Sequence, residues 1–300
     1  IANCTPNSGN VRKGMMRDDL FITVHETFWT DSCMYADIIL PADTALERTD
    51  CHWAYGSWFL GINKPVIEPL GESINNTELF RMLADKMGYV DSTDNAFTQT
   101  DEEIIKDILL EAENEDGERF NCLTEGIDYD DVVKNGWARA STGSKRRDFL
   151  KNGWPTPSGK IEIKCEAITA EYPDVSPFPE YVPEINGQYD PNKEKFPIQV
   201  LSSASHYFIG DSFQSVPRLQ AMQSRPTVEI SLGDAKARGI EDGDLVRLYN
   251  DNGETYCYAV LIEGLLDGVC ATQKQFKGSN TPGGLNVNNL NSEMLTDFGK

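Results

Sequence analysis

Residues 20–41 read Leu20-Phe21-Ile22-Thr23-Val24-His25-Glu26-Thr27-Phe28-Trp29-Thr30-Asp31-Ser32-Cys33-Met34-Tyr35-Ala36-Asp37-Ile38-Ile39-Leu40-Pro41. Leu20 to Glu26 is an apolar, β-branched run that closes on two polar residues. It predicts a buried strand with His25 and Glu26 at its carboxyl end. The polar stretch Thr30-Asp31-Ser32 follows. Ala36 to Pro41 predicts a second short buried strand, stopped by proline. Two strands joined by so short a segment, with helical patterns further on, point to an α/β layer.

Outward from this stretch, Asn75-Asn76-Thr77 precedes Leu79, Phe80, Leu83, Ala84 and Met87, with Gly88 after them. That is helical spacing with an Asx or Thr cap and a glycine stop. Thr100 and Glu103 form a capping box ahead of a helix over Ile104–Leu110. Asp128–Asn135 predicts another short helix, and Ile161–Lys164 a strand. Residues 113–127 are acidic and irregular, and residues 138–159 are polar and basic. Six prolines between 173 and 197 mark a linker, which puts a domain boundary near 185. Beyond it, Ile198–Leu201, Val228–Ile230, Leu245–Tyr249, Thr255–Ile262 and Val269–Thr272 predict strands. Ser231 and Asp234 cap one small helix, and Asn250-Asp251-Asn252-Gly253 signals a hairpin. Short strands with one small helix predict a compact β-barrel.

The 300 residues hold 27 basic and 48 acidic side chains, for a net charge of −21. Such a surface repels phosphate backbones, which argues against a nucleic-acid partner. The apolar runs are strand-sized, far short of the roughly 18 residues that a membrane helix needs. Seven cysteines, an odd number without a C-x-x-C, argue against a disulfide framework or a zinc knuckle and favour a reducing compartment, the cytoplasm over the periplasm. The chain opens Ile1-Ala2-Asn3-Cys4 without methionine, so both ends are expected to be cuts in a longer polypeptide, and a missing leader carries no information.

No dinucleotide glycine fingerprint, phosphate-binding loop, nucleophile elbow or zinc helix is present, and the three histidines show no metal spacing. Three polar stretches remain. His25–Asp31 follows a strand, where open α/β sheets bind ligands. A carboxylate such as Glu26 can accept two hydrogen bonds from guanine N1 and N2, or it can simply cap its own loop. Ser202-Ser203-Ala204-Ser205-His206 offers hydroxyls and an imidazole to a diphosphate or a pterin, or is merely a loop. Asn288, Asn289 and Asn291 are turn residues or readers of a heterocycle edge.

Ordered motifs narrow these alternatives. His25 through Pro41, followed by Glu47 and Arg48, resembles the molybdopterin oxidoreductases of the dimethyl sulfoxide reductase superfamily. Pro65–Gly71 with Asn76 and Phe80 is similar to that family's segment leading into a helix. Thr156-Pro157-Ser158-Gly159-Lys160-Ile161-Glu162 is a third match. Asp234-Ala235, Gly239-Ile240, Asp242-Gly243-Asp244 and Val246-Arg247 are similar to its C-terminal molybdopterin-dinucleotide-binding domain. Asn288, Leu290, Asn291 and Glu293 complete the series.

The resemblance implies an α/β domain over residues 1–185, part of a parallel-sheet dinucleotide-binding fold. It implies a C-terminal β-barrel of the double-psi type over 186–300. The chain is then the C-terminal part of a molybdopterin-dependent oxidoreductase, inactive alone, for oxygen-atom transfer or dehydrogenation. A non-catalytic dinucleotide-binding or assembly module is the alternative. The implied cofactor is molybdenum or tungsten bis(molybdopterin guanine dinucleotide). The metal ligand, and an iron–sulfur cluster where there is one, belong to an upstream part, and the further partner is an electron-transfer subunit. Carried over position by position, His25, Glu26, Thr30, Arg48 and Asn76 match contacts to one dinucleotide. Ser202, Ser203, Ser205 and His206 match the loop touching the other, and Phe276 and Asn288 the closing segment. Ala204 stands where many relatives carry a cation.

Overall fold

A computed structural model describes residues 1–90, 97–110, 112–113, 119–120, 127–139, 153–154, 156–181, 187, 191–210, 212–274 and 276–293. The chain packs as two compact units: residues 1–24, 28–39 and 168–300 in the first, 25–27 and 40–167 in the second. The first is assembled from separate stretches of sequence. Residue 185, the expected boundary, lies outside the described residues, as do 182–184 and 140–152 of the linker and the basic stretch.

Strands β1 (Thr23–Glu26) and β2 (Ile38–Pro41) pair with each other alone. Asp37 N donates to Ile22 O at 2.8 Å and Ala42 N to Glu26 O at 3.1 Å, so the two strands run in the same direction. Both are shorter and less covered than the sequence predicts: Phe21 is 69% exposed, and the adjacent Ile38 and Ile39 are exposed as well. Neighbouring residues of a strand point to opposite faces, so both faces of β2 are open. Parallel sheets are normally covered on both sides, and the described chain adds no third strand here.

In the second unit, β3 (Asp50–Trp53), β4 (Phe59–Asn63) and β7 (Trp137–Arg139) form an antiparallel sheet in the order β3-β4-β7. His52 is level with Gly61, and a Cβ there would stand 2.7 Å from the His52 ring carbon Cε1, so glycine makes room for the imidazole. Helices α3 (Asp101–Leu110) and α4 (Tyr129–Asn135) bury Ile105, Leu109, Tyr129 and Val132 against Leu60 and Ile62. The Thr100–Glu103 capping box closes in both directions, with Glu103 N on Thr100 Oγ1 and Thr100 N on Glu103 Oε2. Asn75, rather than Asn76 or Thr77, caps α2 (Asn76–Met87), accepting Glu78 N at 2.7 Å. β5 (Ala112–Glu113) and β6 (Arg119–Phe120) form a minimal pair. The strand expected over 161–164 is absent. Ile161 and Ile163 alternate but are exposed, because no neighbouring strand pairs with them.

The chain returns to the first unit through α5 (Glu166–Glu171). A mixed five-stranded sheet runs β10 (Leu245–Tyr249), β11 (Glu254–Ile262), β9 (Thr227–Ser231), β12 (Val269–Gln273), β8 (Gln199–Ser203). β11 alternates buried Thr255, Cys257 and Ala259 with partly exposed neighbours, the period of a half-buried strand. Val228, Cys257 and Cys270 form one core cluster; Ile230, Ala235 and Ala259 form another. Helix α6 spans Pro217–Met222, and α7 (Leu232–Arg238) is capped by Ser231 as expected. The N-terminal helix α1 (Ser8–Met15) packs in the same unit, against the 3-10 turn Val287–Leu290.

Candidate functional site

Three chain ends converge at one edge of the second unit. His25 and Glu26 close β1, Pro41 closes β2, and Asn75-Asn76 open α2. A parallel bridge between Ala42 and Ile74 sets the helix start beside β2, fixed by Ile74 N on Pro41 O and Asp43 N on Ile74 O. Strand carboxyl ends next to a helix N-terminus are the usual seat of a nucleotide in α/β sheets. His25 Nδ1 lies 2.9 Å from Asn76 Oδ1, and Nε2 lies 3.2 Å from Pro41 O. Glu26 Oε1 accepts Thr27 N at 2.9 Å and Thr27 Oγ1 at 3.2 Å. Among the described residues its other oxygen has no partner, so the carboxylate caps its own turn and still offers an acceptor.

Arg48 turns to two carboxylates: Asp43 Oδ1 at 2.7 Å and Asp50 Oδ2 at 3.0 Å. Burial works against its charge, yet Asp43 and Asp50 hold the guanidinium above its ordinary range. Asp43 and Arg48 face a cavity of about 400 Å³ that Glu47, Pro69, Ser73 and Asn75 also line. Glu47, the motif glutamate, is buried and ties two loops together. It accepts Thr44 N at 2.6 Å and Leu70 N at 2.7 Å, and these bonds hold its carboxyl below the usual glutamate range.

The remaining candidates belong to the first unit. Thr30 precedes the 3-10 turn Asp31–Tyr35, with its Oγ1 3.6 Å from Cys33 Sγ. Ser202 and Ser203 end β8 with exposed side chains, and His206 is exposed beside Tyr207 at 4.8 Å between ring centroids. Ser205 is spent internally: its hydroxyl donates to Gln223 Oε1 at 2.6 Å and accepts Tyr207 N at 3.2 Å. Phe276 is buried edge-on against Phe208, 5.9 Å between centroids. Asn288 is buried, donating to Asn3 O at 2.8 Å and accepting from Asn291. Its neighbours act alike. Asn286 Nδ2 reaches Asn3 O and Phe276 O, while Asn289 Nδ2 reaches Glu254 O. These amides satisfy backbone carbonyls in this structure.

Sequence reasoning missed the cation at the centre of that cluster. Arg12, on α1, is buried and donates to Asn3 Oδ1 at 2.7 Å and Asn289 Oδ1 at 2.9 Å, with Ala2 O and Ser8 Oγ farther off. Nothing in the local pattern of α1 marks it, because its partners are distant in sequence. Among the described residues no three His, Cys, Asp or Glu side chains gather as a metal site, and no helix is long and apolar enough to cross a membrane.

Comparison with known proteins matches residues 2–86 to the molybdopterin oxidoreductase family and residues 198–300 to the molydopterin dinucleotide binding domain. The chain belongs to the molybdopterin oxidoreductases, and it carries that family's dinucleotide-binding domain at its C-terminal end. It is 33% identical over 295 residues to the probable oxidoreductase YoaE of Bacillus subtilis, covering 98% of this chain and 40% of that protein. To dimethyl sulfoxide reductase DmsA of Escherichia coli it is 28% identical over 271 residues, covering 83% of this chain and 32% of that protein. Among solved structures it is similar to acetylene hydratase from Pelobacter acetylenicus, with a TM-score of 0.69 at 19% identity, over 90% of this chain and 35% of that one. That likeness supports a mixed α/β fold. The chain thus spans 40% or less of the length of these relatives.

Proposed function

We propose that this chain is the C-terminal part of a molybdenum or tungsten bis(molybdopterin guanine dinucleotide) oxidoreductase. Residues 1–185 belong to its α/β domain and 186–300 to a dinucleotide-binding barrel of the double-psi type. The convergence of β1, β2 and the start of α2, with His25 pinned between Asn76 and Pro41, carries the reading. The residues present fit the group. Glu26 keeps one carboxylate oxygen for a guanine donor, and the exposed Ser202, Ser203 and His206 stand where a parallel strand ends. Bound there, the cofactor supplies two-electron redox chemistry, oxygen-atom transfer or dehydrogenation.

The chain's own residues bind and orient. Glu26 accepts from the base, and His25 and Asn76 hold the edge beside it in one geometry. Thr30 offers a hydroxyl. Arg48, shared between Asp43 and Asp50, shapes the neighbouring cavity. Ser205, Phe276 and Asn288, whose polar atoms or faces are taken up internally, act as positioning residues for the two first-unit loops. The metal ligand, an iron–sulfur cluster where there is one, and any electron-transfer subunit would be supplied from outside these residues. The free thiols at six described positions fit a reducing compartment, the cytoplasm. Matches to both family segments do not favour a free-standing binding module.

Glu26→Gln tests the reading in the full-length protein. It puts an NH2 donor where the base presents donors, so cofactor occupancy should fall while the domain stays folded. Molybdenum content and melting temperature are measured together. Unchanged molybdenum with a lowered melting point would show that Glu26 serves only its own turn.

A further inference from the structure

β8 and β12 run parallel, and their carboxyl ends lie side by side. Ser203 is level with Gln273, and the next N–H, that of Lys274, donates to Ser203 O at 2.8 Å. Adjacent carboxyl ends of parallel strands are where phosphate-bearing ligands sit. The loop leaving β8, residues 202–216, contains no lysine or arginine. What it offers is hydroxyls, with those of Ser203 and Ser205 turned to Thr272 O and Gln223 Oε1, and the imidazole of His206. A diphosphate is an anion, and the chain carries a net charge of −21. Hydroxyls alone leave that repulsion standing, and a cation within reach removes it.

Lys274 meets the requirement. It is exposed, on the chain hydrogen-bonded to the loop's first turn, and among the described residues its ammonium has no hydrogen bond or ion pair. Its four-carbon stem lets the charge reach across the gap between the two strands. Lys277, three residues on, is already fastened: Nζ donates to Trp29 O at 2.9 Å and Ser215 Oγ at 3.3 Å. We propose that Lys274 supplies the positive charge that binds the diphosphate of a dinucleotide at the β8 loop. The inference rests on the cofactor reading above.

The test uses full-length protein carrying its cofactor. Bound guanine nucleotide per chain is measured after dialysis at stepped salt concentrations, with melting temperature as the control for folding. Lys274→Gln keeps a polar stem and removes the charge. It should weaken retention about tenfold and move release to lower salt. Ala204→Lys added to it returns a cation to the loop and should restore retention. Lys274→Gln retaining guanine like the parent overturns the proposal, and so does a loss that Ala204→Lys leaves unrepaired. Ser202→Trp fills the loop's exposed side and separates the two levels. If it strips guanine while Lys274→Gln does not, only the lysine inference fails. If Ser202→Trp also leaves guanine bound, the reading of this loop as a cofactor site fails.

Discussion

The imidazole of His25 is held between two oxygens, 2.9 Å from Asn76 Oδ1 and 3.2 Å from Pro41 O. A proline carbonyl only accepts, so a neutral His25 keeps its proton on Nε2. Asn76 then turns its amide to present NH2 to Nδ1, since oxygen and nitrogen of an amide exchange without changing shape. Nitrogen chemical shifts of neutral His25 should report the Nε2–H tautomer. Asn76→Ala should leave Nδ1 unpartnered and broaden the ring signals. An Nδ1–H tautomer in the parent would overturn this arrangement.

Arg12 is a buried cation whose partners are all neutral oxygens, on Ala2, Asn3, Ser8 and Asn289. Arg12→Leu would strand several buried acceptors, at a cost on the order of 2–4 kcal/mol. Arg12→Lys keeps a donor but loses the fork, so it should recover only part. Urea denaturation of the two variants checks the order. Equal stability of Arg12→Leu and the parent would show that the cluster contributes nothing.

Glu47 titrates below the usual glutamate range because Thr44 and Leu70 donate to its carboxylate. A carboxyl lowered by folding stabilises the native state above its unfolded value, about 4.3. That contribution is lost as pH falls through the lower, folded value. Glu47→Gln should therefore melt lower at pH 7 and lose less on acidification than the parent. Parallel melting curves against pH for the two proteins would rule this out.

Burial pushes the Cys257 thiol up to about 11 and the Cys270 thiol up to about 12. The thiolate is the reactive form, so neither cysteine should be alkylated by iodoacetamide at pH 8 in the native protein. Both should react once it is denatured. Mass mapping of a brief native exposure decides, and modification at either position would contradict their burial.

Local signals suffice where both partners are close in sequence. Asn250 Oδ1 accepts Asn252 N and Gly253 N, making the turn between β10 and β11 that its residues announce. The caps at Thr100 and Ser231 are equally local. The edge that receives His25 was legible only in half. The strand end could be read, but Asn76 lies 51 residues away and periodicity carries no such pairing. The β3–β4 pair carries no such local signal, because its connection, with Gly56 at φ 70°, lacks a two-residue hairpin signature. The predicted burial of β1 and β2 failed because an apolar run reports what a strand would bury, not whether a covering layer is at hand.

The first unit is stitched from the two extremes of the chain, as Asn286 and Asn288 hold the carbonyl of Asn3 across more than 280 residues. During synthesis, residues 1–24 and 28–39 are made well before residues 168–300, their partners in this unit. Residues 40–167 find most of their partners within their own stretch and can settle while synthesis continues. Closing so long a loop is slow, and it leaves surface bare in the meantime. Of the two units, the one that needs residues 168–300 is therefore completed later. A chain interrupted late in translation would keep the second unit intact and lack the seam around Arg12 altogether.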